Sequence, residues 1–191
     1  MKSIEPKYKR TPVHTRHITC VGYLREDGLW DVDGRLTDTK PYTLAMPERG
    51  IIPPGEYIHD MTLRISFDRD MVIREVSAHM EMTPWGACPE IEAAYQKLVG
   101  MRIEHGFSLR VKGIFRGIAG CSHLTELIAP IATTAFQAVW SPRPMGEEYT
   151  ELQQSLNESE STSPIGGCHA LKKHGSVVKI FYPDLYEPND T

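Results

Sequence analysis

A short stretch near the middle of the chain concentrates side chains that could do chemistry. Cys121, His123 and Glu126 follow a glycine-rich turn and open what the sequence predicts to be a long apolar helix. The positive end of a helix favours a thiolate and a neutral imidazole, and Ser122 can accept hydrogen bonds from the free N–H groups of the first turn. The stretch therefore predicts a helix N-terminus that stabilises negative charge, with Cys121 as a candidate nucleophile.

Cysteine chemistry at this turn has competing interpretations. A nucleophilic Cys121 needs a base beside it, but His123 lies two residues further on, where helical side chains diverge. A structural cysteine is therefore the alternative. The four cysteines are widely separated and form no Cys-x-x-Cys pair, which favours reduced thiols. A zinc site made by Cys88, Cys121 and His123 stays open, although the spacing is not that of zinc motifs.

His59 is the second residue whose position suggests chemistry. It falls between Tyr57 and Met61 on the apolar face of the clearest strand pattern in the chain. A histidine there is either a hydrogen-bonded core residue or the lining of a cavity, where burial tunes its pKa for proton transfer. Asp60 and Arg64 fall on the other face and are expected to be solvated surface charges.

Several cations fall where they could hold a negatively charged oxygen. Arg25 lies at the tip of a predicted hairpin, where it is either a surface charge or a clamp for an anionic or phenolic oxygen. Lys112 and Arg116 lie just before the central helix, so its N-terminus and these cations could form an anion-stabilising corner.

Positioning these residues requires a sheet and at least two helices. Alternation of apolar and polar residues predicts four antiparallel strands in two hairpins, at residues 17–25, 29–37, 56–68 and 71–82. Helical spacing predicts one helix after Pro89 up to Gly100 and another from Ser122 to about Trp140. The expected fold class is α+β, an antiparallel sheet of two or more hairpins with two main helices packed on one face.

Other segments carry weaker patterns. The proline-rich residues 38–55 are predicted to form no regular element, residues 107–111 to form a short strand, and residues 177–182 to be a short strand or extended. We expect a single domain over residues 1–191, with its core at about 16–140. Residues 141–191 then form a C-terminal extension, in which about 157–164 is a mobile loop.

The whole-chain properties exclude several classes of protein. A net charge of −4 over 191 residues gives no general attraction to nucleic acid, and no apolar run is long enough to span a membrane. The basic N-terminus lacks the apolar segment of a secretory signal, so we expect a cytoplasmic protein. The common phosphate-loop, dinucleotide-binding, nucleophile-elbow and zinc-helix motifs are missing. A cofactor-free enzyme needs only a pocket and a few placed acid–base groups, so it stays open.

Three motifs follow one another along the chain: Arg25-Glu26-Asp27-Gly28-Leu29-Trp30-Asp31, then Ile58-His59-Asp60-Met61 with Arg64, then Gly120-Cys121-Ser122-His123-Leu124. In this order they resemble a bacterial family known as domain of unknown function 2889. The resemblance spans roughly residues 16–136 and leaves the tail after Trp140 uncovered. Ser122 departs from the threonine usual in the family, but either residue can cap a helix.

The resemblance implies a small cytoplasmic protein associated with enzymes that degrade aromatic and acyl compounds. It suggests a cofactor-independent lyase acting on a small aromatic molecule, for example by retro-aldol loss of formaldehyde from a lignin-derived phenolic compound with a primary alcohol. In that reaction His59 or His123 would be the base, and a cation would stabilise phenolate charge. The candidate cations are Arg25, Arg64 and Lys112; the candidate substrate-contacting residues are Trp30, Tyr57, Trp85, Phe115 and Cys121.

Two other classes stay open. One is a non-catalytic accessory protein that holds a metal or an acyl group on the Gly-Cys-Ser-His turn, using Cys121 and His123 with Cys88 as a further ligand. The other is a structural or regulatory subunit in which these residues cap, turn and pack. For the lyase we expect no cofactor and no bound metal. A homodimer is the expected assembly, because it is the commonest one among soluble oligomers.

Overall fold

A computed structural model describes residues 5–140 and 165–188 of the chain. The strands, in chain order, are β1 (Thr15–Leu24), β2 (Trp30–Thr39), β3 (Leu44–Met46), β4 (Gly50–Ile52), β5 (Tyr57–Phe67) and β6 (Ile73–Met82). Four of them form an antiparallel sheet in the order β1-β2-β5-β6, and β3 pairs with β4 in a separate small sheet. The two hairpins predicted from the alternating pattern are confirmed, and β2 and β5 lie at the centre of the main sheet.

The helical elements follow the sheet in the chain. They are a 3-10 helix (Cys88–Leu98), α1 (Phe107–Ile114), a 3-10 turn (Gly117–Ala119), α2 (Ser122–Val139), α3 (Ser176–Phe181) and a second 3-10 turn (Pro183–Leu185). The predicted α+β class and the predicted long helix beginning at Ser122 are confirmed. Within the described residues, no helix combines the length and apolar character needed to cross a membrane.

The main sheet has one apolar face, which carries the core. The register pairs even-numbered residues of β2 with odd-numbered residues of β5, so the side chains of these pairs share a face. Gly34 allows α2 to approach this face closely, because a Cβ atom at this position would lie 2.6 Å from Ile131 Cδ1. The buried side chains on this core face are Trp30, Val32, Leu36, Met61, Leu63, Ile65 and Phe67.

The opposite face of the sheet is ionic. Arg35 donates two hydrogen bonds to the Asp60 carboxylate, at 2.8 and 2.7 Å, and Arg64 does the same to Asp33, at 2.6 and 2.7 Å. Each guanidinium is about half exposed, as expected for Arg64, but the prediction that Asp60 is a solvated surface charge was wrong, because its residue is 8% exposed under Arg35. These pairs therefore keep the outer face polar and leave the core face to the helices.

The outer edge of β6 is covered by the 3-10 helix that follows it. The Glu92 carboxylate accepts a hydrogen bond from the Met80 N–H at 2.7 Å, and the Gln96 amide donates one to the Val76 carbonyl at 2.6 Å. These side chains replace the ladder bonds of a missing neighbour strand. The same helix thereby brings Tyr95 into the core, where it is fully buried.

Three local predictions were wrong. Residues 107–111 are helical, because Gly106 has a φ of 80° at the helix start and Phe107 and Val111, four residues apart, are both buried. Residues 177–182 are not extended, because α3 satisfies their backbone groups by local bonds such as Tyr182 N–H to Val178 carbonyl. Residues 38–55 contain the β3–β4 hairpin, which Gly50 permits with a φ of 71°.

The chain divides within α2 into two compact units, between Thr134 and Ala135. The first contains the main sheet, and the second contains the end of α2 together with α3. The predicted single domain stays a prediction, as does its core at about residues 16–140. The loop predicted at 157–164 lies outside the described residues.

Candidate functional site

Asp38 is the centre of a polar cluster on the otherwise apolar core face. Its side chain is 1% exposed and accepts four hydrogen bonds. Arg16 donates two of them, from Nε to Oδ1 and from Nη2 to Oδ2, both at 2.8 Å. His14 Nε2 donates to Oδ1 at 2.9 Å, and His59 Nδ1 donates to Oδ2 at 2.9 Å. Every acceptor position of the carboxylate is therefore occupied.

The register of the sheet assembles this cluster. Arg16 on β1 and His59 on β5 are the direct cross-strand neighbours of Asp38, one on each side of β2. Opposite residues in an antiparallel sheet have their Cβ atoms about 4.5–5.5 Å apart, close enough for their side chains to interact directly. The three residues are distant in the chain and meet only because the strands pair in this order.

Asp38 is a carboxylate at neutral pH. Burial on its own raises the pKa of Asp38, but the hydrogen bonds from Arg16 and His14, with the charge of Arg16, outweigh burial and hold the pKa at about 2. An ionised carboxylate only accepts hydrogen bonds, so both histidine nitrogens facing it must carry protons. The tautomer of His59 is thereby set, with its proton on Nδ1 and its lone pair on Nε2.

His59 offers that lone pair to the outside of the cluster. Its side chain is 12% exposed, and its Nε2 makes no hydrogen bond within the described part of the chain. No buried side-chain nitrogen or oxygen in that part of the chain lacks a partner, so this Nε2 is accessible from solvent. His59 therefore has one nitrogen fixed by a buried carboxylate and the other available to accept a proton.

His123, in the first turn of α2, packs against His59. The ring centroids are 3.9 Å apart at an interplanar angle of 33°, and His123 Nε2 lies 3.8 Å from Asp38 Oδ2. Burial lowers the pKa of His59 to about 4, and a charge on His123 acts in the same direction. Burial and the charge of Arg16 also lower the pKa of His123. Both rings are therefore neutral at pH 7.

Arg16 joins this cluster to α2. Besides its two hydrogen bonds to Asp38, its guanidinium forms an ion pair with Glu126, one turn after His123. The hydrogen bond to Asp38 raises the pKa of Arg16 further, so this side chain is permanently charged. The sheet edge and the helix start are thus connected by one cation between two carboxylates.

Tyr95 fixes the turn that precedes α2. Its hydroxyl donates to the Cys121 carbonyl at 2.9 Å and accepts from the Cys121 N–H at 3.1 Å. The Thr125 hydroxyl lies 2.8 Å from the same oxygen, and the ring stacks on Phe115 at 4.4 Å. The predicted capping role of Ser122 was wrong, because Ser122 is already helical and its hydroxyl makes no hydrogen bond within the described residues.

Cys121 and His123 are closer than helical spacing suggests. Cys121 precedes the helix, and its Sγ lies 3.8 Å from His123 Nδ1. The other predicted zinc ligand, Cys88, does not join them. Among the described residues, one group of His, Cys, Asp and Glu side chains has metal-ligand spacing, namely Asp38, His59 and His123, with one ligand atom of each within 4.8 Å of the others.

Other predicted site residues lie away from this cluster. Arg25 bonds to Asp27 and Glu75 at the far end of the sheet, and Arg64 is paired on the ionic face. Trp30 is a core residue that stacks on Phe67. Trp85 is 45% exposed in the turn after β6.

Tyr57 does not share a face with His59, contrary to the alternating pattern. A β-bulge at this end of β5 shifts the register between Asp38 and Thr39. The extra residue changes the side to which the following side chains point. The Tyr57 ring consequently lies under the Arg35 guanidinium, at 5.7 Å from the centroid, on the ionic face.

Lys112 and Phe115 line a surface depression of about 400 Å³ at the start of α2. Its other lining residues are Gly117, Ser122, Thr125 and Glu126. Lys112 makes no ion pair within the described part of the chain. Glu126 connects the depression to the histidine cluster (Asp38, His59 and His123 with His14 and Arg16), because it pairs with Arg16, although no residue of the cluster itself lines the depression.

The sequence did not reveal Asp38, His14, Arg16 or Tyr95 as site residues. The predicted second strand ended at Thr37, and continuing its alternation by one residue would have placed the Asp38 carboxylate on the core face. An acidic residue there requires a buried partner, since an unpaired buried charge is very costly. His14 and Arg16 offered no comparable signal.

Comparison with known proteins places the chain in a family. A search of curated proteins finds no match, and a search of solved structures finds none either. The family described as "Protein of unknown function (DUF2889)" matches residues 14–137, which include the whole histidine cluster and most of α2. The chain therefore belongs to the DUF2889 family.

Proposed function

We propose that this protein is a cofactor-independent lyase for a small aromatic molecule, with His59 as its base. The observation that carries the proposal is the hydrogen bond from His59 Nδ1 to the buried Asp38 carboxylate, which leaves Nε2 unbonded and accessible. A base oriented by a carboxylate through its other ring nitrogen is a recurring arrangement for general acid–base catalysis.

The proposed reaction is a retro-aldol loss of formaldehyde from a phenolic compound that carries a primary alcohol. His59 Nε2 takes the hydroxyl proton, the carbon–oxygen bond becomes a carbonyl, and the neighbouring carbon–carbon bond breaks. The electron pair of that bond passes to an electron-accepting group that the substrate carries in conjugation with the remaining carbon, such as a carbonyl group that becomes an enolate, because an electron-rich phenol ring alone does not stabilise a carbanion. The imidazolium then returns its proton to this carbon, so formaldehyde and a shortened phenolic compound are formed without an oxidant or reductant.

The depression beside the cluster supports an aromatic substrate. Lys112 offers a cation without an ion-pair partner in the described residues, and Phe115 offers an apolar wall. A lysine ammonium can stabilise a phenolate oxygen, and the N-terminus of α2 adds a favourable dipole at the same place. Arg25 and Arg64 are held by carboxylates elsewhere on the sheet, so Lys112 is the cation we assign to the substrate.

The test is an assay for formaldehyde with phenolic dimers that carry a primary alcohol. We expect the wild-type protein to release formaldehyde, and His59→Gln to lower kcat/KM by about 10² to 10⁴-fold, the usual contribution of a general base. The matched control is His79→Gln, because His79 is an exposed histidine on β6, 67% exposed and paired only with Glu81. It should keep kcat/KM within about twofold. Turnover that survives His59→Ala combined with His123→Ala contradicts the proposed base.

A second candidate is an accessory protein that carries an acyl group or a metal on the turn before α2. The observation that favours it is the contact between Cys121 Sγ and His123 Nδ1 at 3.8 Å, since an adjacent imidazole can activate a thiol. Incubation with an activated acyl thioester, followed by intact-mass measurement, tests the acyl form. One acyl group on wild type and none on Cys121→Ser is the expected result for this candidate; no acyl adduct on wild type counts against it. The metal form predicts near-stoichiometric zinc or iron in the purified protein that is lost in Cys121→Ser.

A further inference from the structure

The histidine cluster has a second chemical property, which is the spacing of a metal site. His59 Nδ1 lies 2.9 Å and His123 Nε2 lies 3.8 Å from the same oxygen, Asp38 Oδ2. Donors bound tetrahedrally to zinc at about 2.0–2.1 Å lie roughly 3.3 Å from one another. The two observed separations fall on either side of that value, and one ligand atom of each of the three side chains lies within 4.8 Å of the other two. Because the two rings pack against each other at 3.9 Å, they must turn for both lone pairs to point at one ion.

We propose that Asp38, His59 and His123 bind one divalent transition-metal ion such as Zn²⁺, and that this ion switches off His59 as a base. Metal binding stands by itself, whereas the inhibitory effect rests on the proposed lyase function. Two neutral imidazoles and one carboxylate suit zinc and its neighbours among the transition metals, rather than Ca²⁺ or Mg²⁺, which prefer oxygen ligands.

The switch follows from which nitrogen of His59 faces Asp38. In the metal-free protein the proton is on Nδ1 and the lone pair on Nε2. A metal ion at Asp38 Oδ2 needs the Nδ1 lone pair, so the proton must move through solvent from Nδ1 to Nε2. His59 remains neutral and no proton is lost overall, but the accessible nitrogen now carries a proton and cannot accept one.

The surroundings of the cluster favour a reversible ion over a permanent one. Arg16 keeps its two bonds to Asp38, so a positive charge stays next to the proposed ion. Its repulsion weakens binding relative to a site without a neighbouring cation. The ion also has to displace the hydrogen bond from His59 to Asp38, which adds to the cost. We therefore expect an ion that a chelator removes without unfolding the protein.

The binding test uses the full chain after dialysis against a chelator, titrated with zinc chloride in a calorimeter and with cobalt chloride in a spectrophotometer. We expect one ion per chain for wild type, and binding at least tenfold weaker for His59→Gln and for His123→Gln. His79→Gln, which alters an exposed histidine–carboxylate pair, should bind like wild type. Absence of a one-to-one complex, or equal affinity in all variants, overturns the site.

The switch is tested by nitrogen-15 NMR of the His59 ring in the chelated and zinc-loaded protein. The expected change is a proton on Nδ1 without zinc and on Nε2 with zinc; an unchanged tautomer overturns the mechanism. Once a substrate has been identified, saturating zinc should abolish formaldehyde release and chelator should restore it. Turnover that zinc leaves unchanged or increases overturns the proposed inhibition. If no substrate is found, the lyase proposal fails while the calorimetric and NMR results still decide the metal site.

Discussion

Replacement of Asp38 by asparagine is the most direct perturbation of the candidate site. The buried carboxylate accepts four hydrogen bonds, two from Arg16 and one each from His14 and His59. Asparagine keeps the size of the side chain but removes its charge. Its NH₂ group replaces one carboxylate oxygen, so it would face an N–H donor of Arg16 and one of a histidine instead of accepting from them. The substitution therefore separates the electrostatic contribution of the cluster from its packing.

The magnitude follows from the pKa of Asp38. A folded-state pKa of about 2, against an ordinary value of 3.8, corresponds to about 2.5 kcal/mol of stability at neutral pH. Loss of one partner from a fully buried ion pair typically costs about 3–5 kcal/mol, and the lower end applies here because Arg16 is partly exposed and keeps its ion pair with Glu126. We expect Asp38→Asn to lower the free energy of unfolding at pH 7 by about 3 kcal/mol.

The pH dependence has a definite sign. The pKa of Asp38 is lower in the folded than in the unfolded protein, so its stabilisation is complete above about pH 4 and disappears as the pH falls through about 2. The difference in unfolding free energy between wild type and Asp38→Asn should therefore be constant from pH 7 to pH 5. Below about pH 4 the difference should shrink.

The assay is urea denaturation followed by far-ultraviolet circular dichroism, in buffer with a chelator, at several values between pH 3 and pH 7. Asp33→Asn is the matched control, because Asp33 is on the same strand and also accepts two hydrogen bonds from one arginine, but on the ionic face with a half-exposed partner. It should cost less than about 1 kcal/mol. Equal costs for the two variants, or a difference that does not shrink in acid, would refute the reasoning.

Two further predictions concern the elements that position the site. Gly34→Ala should lower the unfolding free energy by about 1–3 kcal/mol in the same urea experiment, because its Cβ would lie 2.6 Å from Ile131 Cδ1. The control is Gly113→Ala in α1, where a Cβ atom would have no atom within 4 Å. This control should be neutral or slightly stabilising. Tyr95→Phe should cost about 1–3 kcal/mol, because it leaves the Cys121 N–H without its partner, while the Cys121 carbonyl keeps its bond from the Thr125 N–H. A cost below about 0.5 kcal/mol in the same urea experiment would contradict this role of Tyr95.

Most of the sheet could be predicted from the sequence because its signal is local. The central strands β2 and β5 alternate over about ten positions and bury their apolar face, whereas the edge strand β1 shows the same alternation but has no fully buried residue. The long helix beginning at Ser122 was predictable for the same reason, since its apolar stripe repeats within the segment itself. Such patterns require no knowledge of which strand pairs with which.

Short segments failed where tertiary context outweighs the local pattern. The helices α1 and α3, which cover most of residues 107–111 and 177–182, contain Phe, Val and Ile residues that favour strands. Each helix nevertheless begins directly after a glycine and has eight residues or fewer. Tyr57 was assigned to the wrong face because a single inserted residue reverses the alternation beyond it. Only Tyr57 lies beyond the bulge within β5, so the reversed alternation is too short to be recognised in the sequence.

Of the candidate site, His59 and His123 could be predicted from the sequence, whereas Asp38 and Arg16 could not. His59 and His123 stood out because their own segments made them unusual, one on an apolar strand face and one at a helix start. Asp38 and Arg16 did not, because a carboxylate near the end of a strand and an arginine in a basic N-terminal segment are ordinary until the register places them opposite each other. A buried histidine on its own leaves open which nitrogen carries the proton. Asp38 determines the tautomer by accepting a hydrogen bond from His59 Nδ1. The ability of His59 Nε2 to act as a base therefore depends on a residue that could not be identified from the sequence.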